Sequence, residues 1–296
     1  MRNIFKLLLV IFLFSSCLGQ RKIASILQTA NQLYYEKKYG EAFENYSQVL
    51  DYYNIKGLTP GGEVLVSAGK CLFYTGSQRR AVEYFDDAKK HNYEDEQSAF
   101  MTIMYYETGQ DIDKQIESLE HYAEFFSSGD EIEYVREKLF DKYYEKEDYR
   151  KVFYAFNNLP LEKTDNIAVL EKYFVAAQQI GSQKKTEETA QKLYNLDPNN
   201  FTGLSFVAKK TFNEAEEEFL EAQKIYNAKK TNANLKIFKK KQEELKPRYT
   251  LAKAYYTRLY KLYKRPSDAA DLAVICQRLG DKTNAEYYTK LSKKKN

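Results

Sequence analysis

Tryptophan is absent from this 296-residue chain, and histidine is nearly so: His91 and His121 are the only two. Neither has a motif around it, and a lone histidine on a helix is ordinarily a surface or core residue rather than a catalyst. Cysteine is scarce as well, with three in all. Cys71 and Cys276 are far apart and fall inside helical patterns, so the chain has neither a disulfide framework nor metal-ligand spacing, and both read as small core residues. The twelve glycines sit mostly in turns. No glycine-rich phosphate loop and no nucleophile elbow can be found. These absences point to a protein without catalysis, cofactor or metal. Carboxylates are plentiful, so runs such as Glu216-Glu217-Glu218 read as a solvated helix face.

Long apolar runs are missing too, with one exception at the start. Met1-Arg2-Asn3-Ile4-Phe5-Lys6 is a basic opening, and the apolar run Leu7 to Phe14 is too short to span a bilayer, as in a secretory leader. Ser15-Ser16-Cys17 follows and resembles a bacterial lipobox, with Phe14 where leucine is favoured. That resemblance implies lipidation at Cys17 and membrane attachment through the lipid. Plain cleavage after Gly19, leaving a soluble protein that starts at Gln20, and an uncleaved anchor are the alternatives. In each case residues 1–19 are a targeting segment and the protein is exported, to the periplasm or the outer membrane.

The remaining chain, long enough for a large core, is patterned rather than uniform. Ile26, Ala30 and Leu33 share a helical face, the turn Lys37-Lys38-Tyr39-Gly40 follows, and Ala42, Phe43, Tyr46, Val49 and Leu50 line a second helix. The glycine-rich linker from Asn54 to Gly62 is the clearest break. After it the pattern returns: Leu65, Gly69 and Leu72, a helix stop at Gly76, then Ala81, Phe85 and Ala88. It returns again with Met101, Tyr105 and Gly109, where Asp111-Ile112-Asp113 adds a residue before the second helix. A fourth copy has Phe140, Tyr143, Val152, Phe156 and Leu159, stopped by Pro160. A fifth has Leu170, Phe174, Ala177, Gly181, Ala190 and Leu193. Beyond Phe201 two longer helices are expected, Leu204 to Lys230 and Ala233 to Lys264, with Pro247 kinking or splitting the second. A final hairpin carries Leu272, Ala273, Cys276, Gly280, Ala285 and Tyr288.

Small residues and aromatics that recur together at roughly a 34-residue spacing resemble the tetratricopeptide repeat. The best-matching stretches are Tyr39 to Tyr46, Arg79 to Phe85 and Leu196 to Asn200. The resemblance implies an all-α fold, a right-handed solenoid of antiparallel hairpins. About five repeats would cover 22–200, irregular basic helices 201–265, and a closing hairpin and tail 266–296. In that family the first helix of each hairpin lines a concave protein-binding groove. Carried onto this chain, the groove holds Asn31, Tyr34 and Tyr35, then Lys70, Phe73 and Tyr74, then Ile103, Tyr106 and Glu107, then Asp141, Tyr144 and Glu145. Tyr34, Phe73, Tyr106 and Tyr144 form an aromatic ladder, which Gln178 ends. Tyrosine combines contact area, low entropy cost and a polar tip, although some of these rings could instead pack between helices. The lysine–asparagine clamp for a peptide carboxylate is not reproduced, since Leu27 stands at one of its positions.

Charge is nearly balanced but unevenly spread. Without Arg2 and Lys6 the chain has 44 basic and 42 acidic residues, a formal +2. Glu107–Tyr149 carries fourteen carboxylates against five Lys/Arg, and Lys229–Arg265 thirteen Lys/Arg against two glutamates. Each reads first as a solvated face. The basic block is also suited to anionic lipid, whereas nucleic acid is not an expected partner of an exported protein. The sequence therefore suggests an envelope scaffold or adaptor that holds another envelope protein, with outer-membrane assembly or secretion as the role implied by analogy of layout. The rival is a glycan- or cell-wall-binding module, a role for which tryptophan would be usual.

Overall fold

A computed structural model describes residues 20–293, and all regular structure among them is helical. Two compact units divide the chain between Lys146 and Glu147. The expected leader, residues 1–19, and with it Cys17, lies outside the described residues. The sequence pattern places its main change at 200–201, but the units divide inside the fourth hairpin.

The first unit is built from α1 (20–35), α2 (Tyr39–Ile55), α3 (Gly62–Tyr74), α4 (Gln78–Lys90), α5 (Glu96–Glu107), α6 (Ile112–Phe125) and α7 (Ile132–Glu145). Successive helices pack on one another, as an array of short hairpins requires. Its core runs through Ala30, Ala42, Tyr46 and Val49 into Leu65, Leu72, Ala81 and Phe85. These include the positions on which the resemblance to the tetratricopeptide pattern rests, and all of them are buried. Gly69 shows why the small position matters. A Cβ there would sit 2.6 Å from the Phe85 ring and 3.1 Å from the Ala81 carbonyl, so the hairpin closes only on a bare Cα.

Local signals set where the helices begin and end. Asp95 caps α5: its carboxylate accepts from the Ser98 N–H at 2.8 Å, and the Ser98 hydroxyl lies 3.3 Å from the Asp95 N–H. Gly76, Gly181 and Gly280 end the first helices of three hairpins with positive φ. In each case the next N–H reaches back five residues, Ser77 to Leu72, Ser182 to Ala177 and Asp281 to Cys276, at 2.8–2.9 Å. Lys37 holds the same conformation at φ 59° without the freedom of glycine, and Lys38 closes the bond to Leu33 at 2.9 Å. The third hairpin buries Gln115 near the start of its second helix, where Ala42, Ala81 and Ala285 stand in three other hairpins. The Gln115 amide donates to the Gly109 carbonyl at 2.9 Å.

The second unit contains α8 (Tyr149–Ala155), α9 (Ile167–Gln179), α10 (Gln183–Leu196), α11 (Phe201–Ala228), α12 (Asn232–Tyr263), α13 (Pro266–Arg278) and α14 (Lys282–Ser292). Helices α11 and α12 form a hairpin of 28- and 32-residue arms. Pro247 does not split α12: the helix runs on through it, giving up one backbone hydrogen bond. The core joins Leu204, Phe212, Ala215 and Phe219 to Leu245, Tyr249, Tyr256 and Leu259, and continues to Leu272 and Ile275. Arg278 braces it with a fork onto Glu216, 2.5 and 3.0 Å, while Tyr249 donates to the same carboxylate at 2.9 Å.

Candidate functional site

Residues 27, 31, 34 and 35 fall on one face of α1, and 63, 67 and 70 on one face of α3, by the three- and four-residue steps of a helix. The two faces meet across a cavity of about 310 Å³. Leu27, Asn31, Tyr34 and Tyr35 form one wall, and Glu63, Val64, Ser67 and Lys70 the other; Tyr46 and Tyr93 complete it. The structure therefore brings together four of the residues that the sequence assigns to a groove: Asn31, Tyr34, Tyr35 and Lys70.

Each wall is positioned by bonds behind it. Asn31 Oδ1 accepts from the Tyr46 hydroxyl at 2.7 Å. Lys70 Nζ meets Asp95 Oδ2 at 2.5 Å, so the residue that caps α5 also anchors the ammonium group. Burial pushes the Tyr46 phenol up to about 12 and moves the Tyr34 phenol further in the same direction, with Tyr74 and Tyr39 adding to the latter. Both phenols are therefore neutral hydrogen-bonding groups at any ordinary pH. Tyr35 is 80% exposed at the mouth. An aliphatic and aromatic floor with hydroxyl, amide and carboxylate groups around it suits a peptide segment with one apolar side chain and a polar backbone.

The other expected groove residues do not line this cavity. Phe73 is a correction: it is 8% exposed and belongs to the core with Leu72, Phe85 and Met101, because α5 packs over that side of α3. Ile103 is a second correction, with no exposed surface. Tyr74 is 44% exposed, stacks on Tyr39 at 4.3 Å, and accepts from the Gln97 amide at 2.8 Å. Tyr106 is half-buried beside the core, with Lys114 5.5 Å above its ring. Glu107 is committed internally: it accepts from the Tyr134 hydroxyl at 2.7 and 2.8 Å and pairs with Lys138 at 3.3 Å. Asp141 is exposed and Tyr144 half-buried on α7. The ladder is thus not a continuous surface of rings. Sequence reasoning missed Glu63 and Ser67 as lining residues, although their spacing to Lys70 carried the signal. Tyr93 follows α4 in a turn, and no local pattern points to it.

His121 Nε2 lies 2.6 Å from Glu94, which also pairs with Lys89 at 2.9 Å. Among the described residues no three His, Cys, Asp or Glu side chains come together as metal ligands. Cys71 and Cys276 are buried free thiols, and burial pushes Cys71 up to about 12. No described helix is long and apolar enough to cross a membrane.

In the second unit the basic stretch Lys229–Arg265 is not one surface. Lys241 and Arg248 pair with Glu218, Lys253 with Asp281, Lys246 with Glu243, and Arg265 with the buried Asp268. Arg258 donates to the Asn199 side chain at 2.8 Å.

No family model matches the chain, and no curated protein matches it in sequence. Among solved structures it is similar to a candidate protein-binding protein from Bacteroides ovatus, at 15% identity and TM-score 0.47, over 75% of this chain and all of that one. It is also similar to YrrB, a TPR protein with an unusual peptide-binding site, at 13% identity and TM-score 0.41, over 61% of this chain and 89% of that one. A TPR repeats protein from Bacteroides fragilis gives 15% identity and TM-score 0.34, over 91% and 98%.

Proposed function

We propose that this chain is a non-catalytic scaffold that holds a protein partner through the α1–α3 face. The observation that carries the reading is the cavity in which Asn31, Tyr34 and Tyr35 of one hairpin confront Glu63, Ser67 and Lys70 of the next. Repeat stacking creates such a concavity without extra core, and rigid tyrosines lower the entropy lost on binding. YrrB is described as having a peptide-binding site, and the same use of the repeat surface is part of the proposal here. The proposal extends to export and to a partner in the bacterial envelope, motivated by the leader and the lipobox-like Ser15-Ser16-Cys17. A role in an outer-membrane assembly or secretion complex fits that location.

The test is in-cell photocrosslinking from position 63, an exposed position of the cavity wall, followed by mass spectrometry. Tyr35 is exposed, so Tyr35→Ala leaves the core intact. One dominant envelope protein, whose capture falls at least about tenfold in a Tyr35→Ala/Lys70→Gln double variant with unchanged helicity, is the expected result. Capture that is unchanged in the variant would refute the groove. Cell-wall glycan in the eluate in place of protein would replace the scaffold reading with the glycan-binding one.

A further inference from the structure

The α11–α12 hairpin outgrows its core. Buried positions on α11 end at Phe219 and those on α12 begin at Leu245, and no residue from 220 to 244 is buried. At 1.5 Å per residue the arms run on for roughly 13–20 Å past the last core layer. The tip is nonetheless built. Tyr226 and Phe238 stack within 1° of parallel at 5.8 Å, and Phe238 leans on Phe219 at 5.5 Å. Thr231 caps α12, and the Asn234 amide donates to the Lys229 carbonyl at 2.7 Å.

The composition of that tip is one-sided. Residues 222–241 contain seven lysines and no aspartate or glutamate. Lys240 and Lys241 reach back to Glu244 at 3.7 and 3.3 Å. Lys229, Lys230, Lys236 and Lys239 are exposed and have no carboxylate partner among the described residues. The same tip also carries aliphatic side chains in solvent: Ile225 is 51% and Ile237 61% exposed. An acidic protein surface would answer the lysines but leave the isoleucines wet. A layer of phosphate headgroups over hydrocarbon answers both, since the ammonium groups stay in the headgroups while aliphatic side chains enter below them.

We propose that the tip of the α11–α12 hairpin is a docking element for an anionic lipid surface. This goes beyond the protein-binding reading and does not depend on it. It also differs from a broad lipid contact along Lys229–Arg265, because the cations beyond Lys240 are largely taken by internal carboxylates. The lysines supply charge near the surface and the two isoleucines supply shallow insertion.

The experiment is flotation of the full chain with vesicles of phosphatidylglycerol and phosphatidylcholine in equal parts, against vesicles of phosphatidylcholine alone, over a salt series. Binding through the leader is common to every variant and to both vesicles, so only the difference between the vesicles is read. Each lysine is expected to contribute roughly fivefold to the anionic preference. Lys229→Gln/Lys230→Gln/Lys236→Gln/Lys239→Gln should then lower that preference at least about hundredfold, with unchanged circular dichroism. Ile225→Ser/Ile237→Ser should weaken anionic binding by about tenfold and keep its salt dependence. Lys282→Gln/Lys290→Gln, exposed lysines of α14, should leave it unchanged. A wild-type chain that does not distinguish the two vesicles overturns the proposal, as does equal loss in the α14 control. So does an acidic protein held at the tip by a chain with no vesicle preference.

Discussion

In the α3–α4 hairpin nearly every turn is spent on packing, whereas in the α11–α12 hairpin much of the length is not. Helix α3 buries eight of its 13 residues; α11 buries seven of 28, all before Leu220. Both begin from the same kind of close helix pair. Gly69 admits the Phe85 ring, and Gly203 admits the backbone of α10, with a Cβ there only 2.5 Å from the Tyr194 nitrogen. The difference is that α3 has neighbours along its whole length, while the tip of α11 and α12 has only its own partner arm. A helical length that core burial does not account for is a physical reason to look for an external surface, and the unpaired lysines indicate its charge.

The largest expected effect compares one residue type across the two hairpins. Phe85→Ala removes a ring that is 1% exposed and should cost about 3–5 kcal/mol of stability by denaturant melts. Phe238→Ala removes a half-buried ring near the tip and should cost about 1 kcal/mol. Equal losses would mean that the tip is as much a part of the core as the second hairpin, and would erase the contrast.

A smaller effect tests what holds the core end of the long hairpin. Burial raises the Glu216 carboxyl, but hydrogen bonds from Arg278 and Tyr249 and the charge of Arg278 outweigh it, so its folded pKa lies below the ordinary value. The pair therefore stabilises at neutral pH, and that contribution is lost as pH falls through the ordinary carboxylate range toward the lower folded pKa. Glu216→Gln should flatten the acid limb of the stability–pH curve, measured by urea melts at pH 7 and in mild acid. A variant whose acid limb matches wild type would assign the dependence to other carboxylates.

The smallest effect is local. Lys37 holds the left-handed position that glycine holds at 76, 181 and 280. Lys37→Gly should raise stability by about 0.5–1 kcal/mol if relief of the strain exceeds the entropy gained by the unfolded chain. A loss of stability would show that the lysine side chain makes up for its strained backbone.

Much of this architecture was legible in the residues. The two long helices were expected at 204–230 and 233–264 and are observed at 201–228 and 232–263, because thirty-residue amphipathic patterns leave little room for error. Of the two expected effects of Pro247, a kink or a split, the split does not occur, since a single missing hydrogen bond is tolerated where tertiary packing holds both halves of the helix. The site was legible only in part. Asn31, Tyr34, Tyr35 and Lys70 were reached by carrying the family resemblance onto the first helices of two hairpins. Phe73 was misassigned although it occupies the same step as Tyr34, because α5 covers it and no equivalent cover leaves Tyr34 fully buried. Glu107 is held by the Tyr134 hydroxyl, a donor 27 residues away that no local pattern shows.

The sequence by itself determined the helices, their caps, the left-handed turns and the small positions where paired helices touch. Each is decided within a few residues, by backbone sterics, by unsatisfied N–H and C=O groups, and by the three-to-four-residue repeat of a helix face. Only the tertiary structure decided which aromatic rings on a face meet solvent and which meet the next hairpin, and which lysines of a basic stretch find a carboxylate. Those outcomes depend on neighbours 20 to 60 residues away in the chain, and a repeat pattern specifies that a neighbour exists without specifying which atoms it brings.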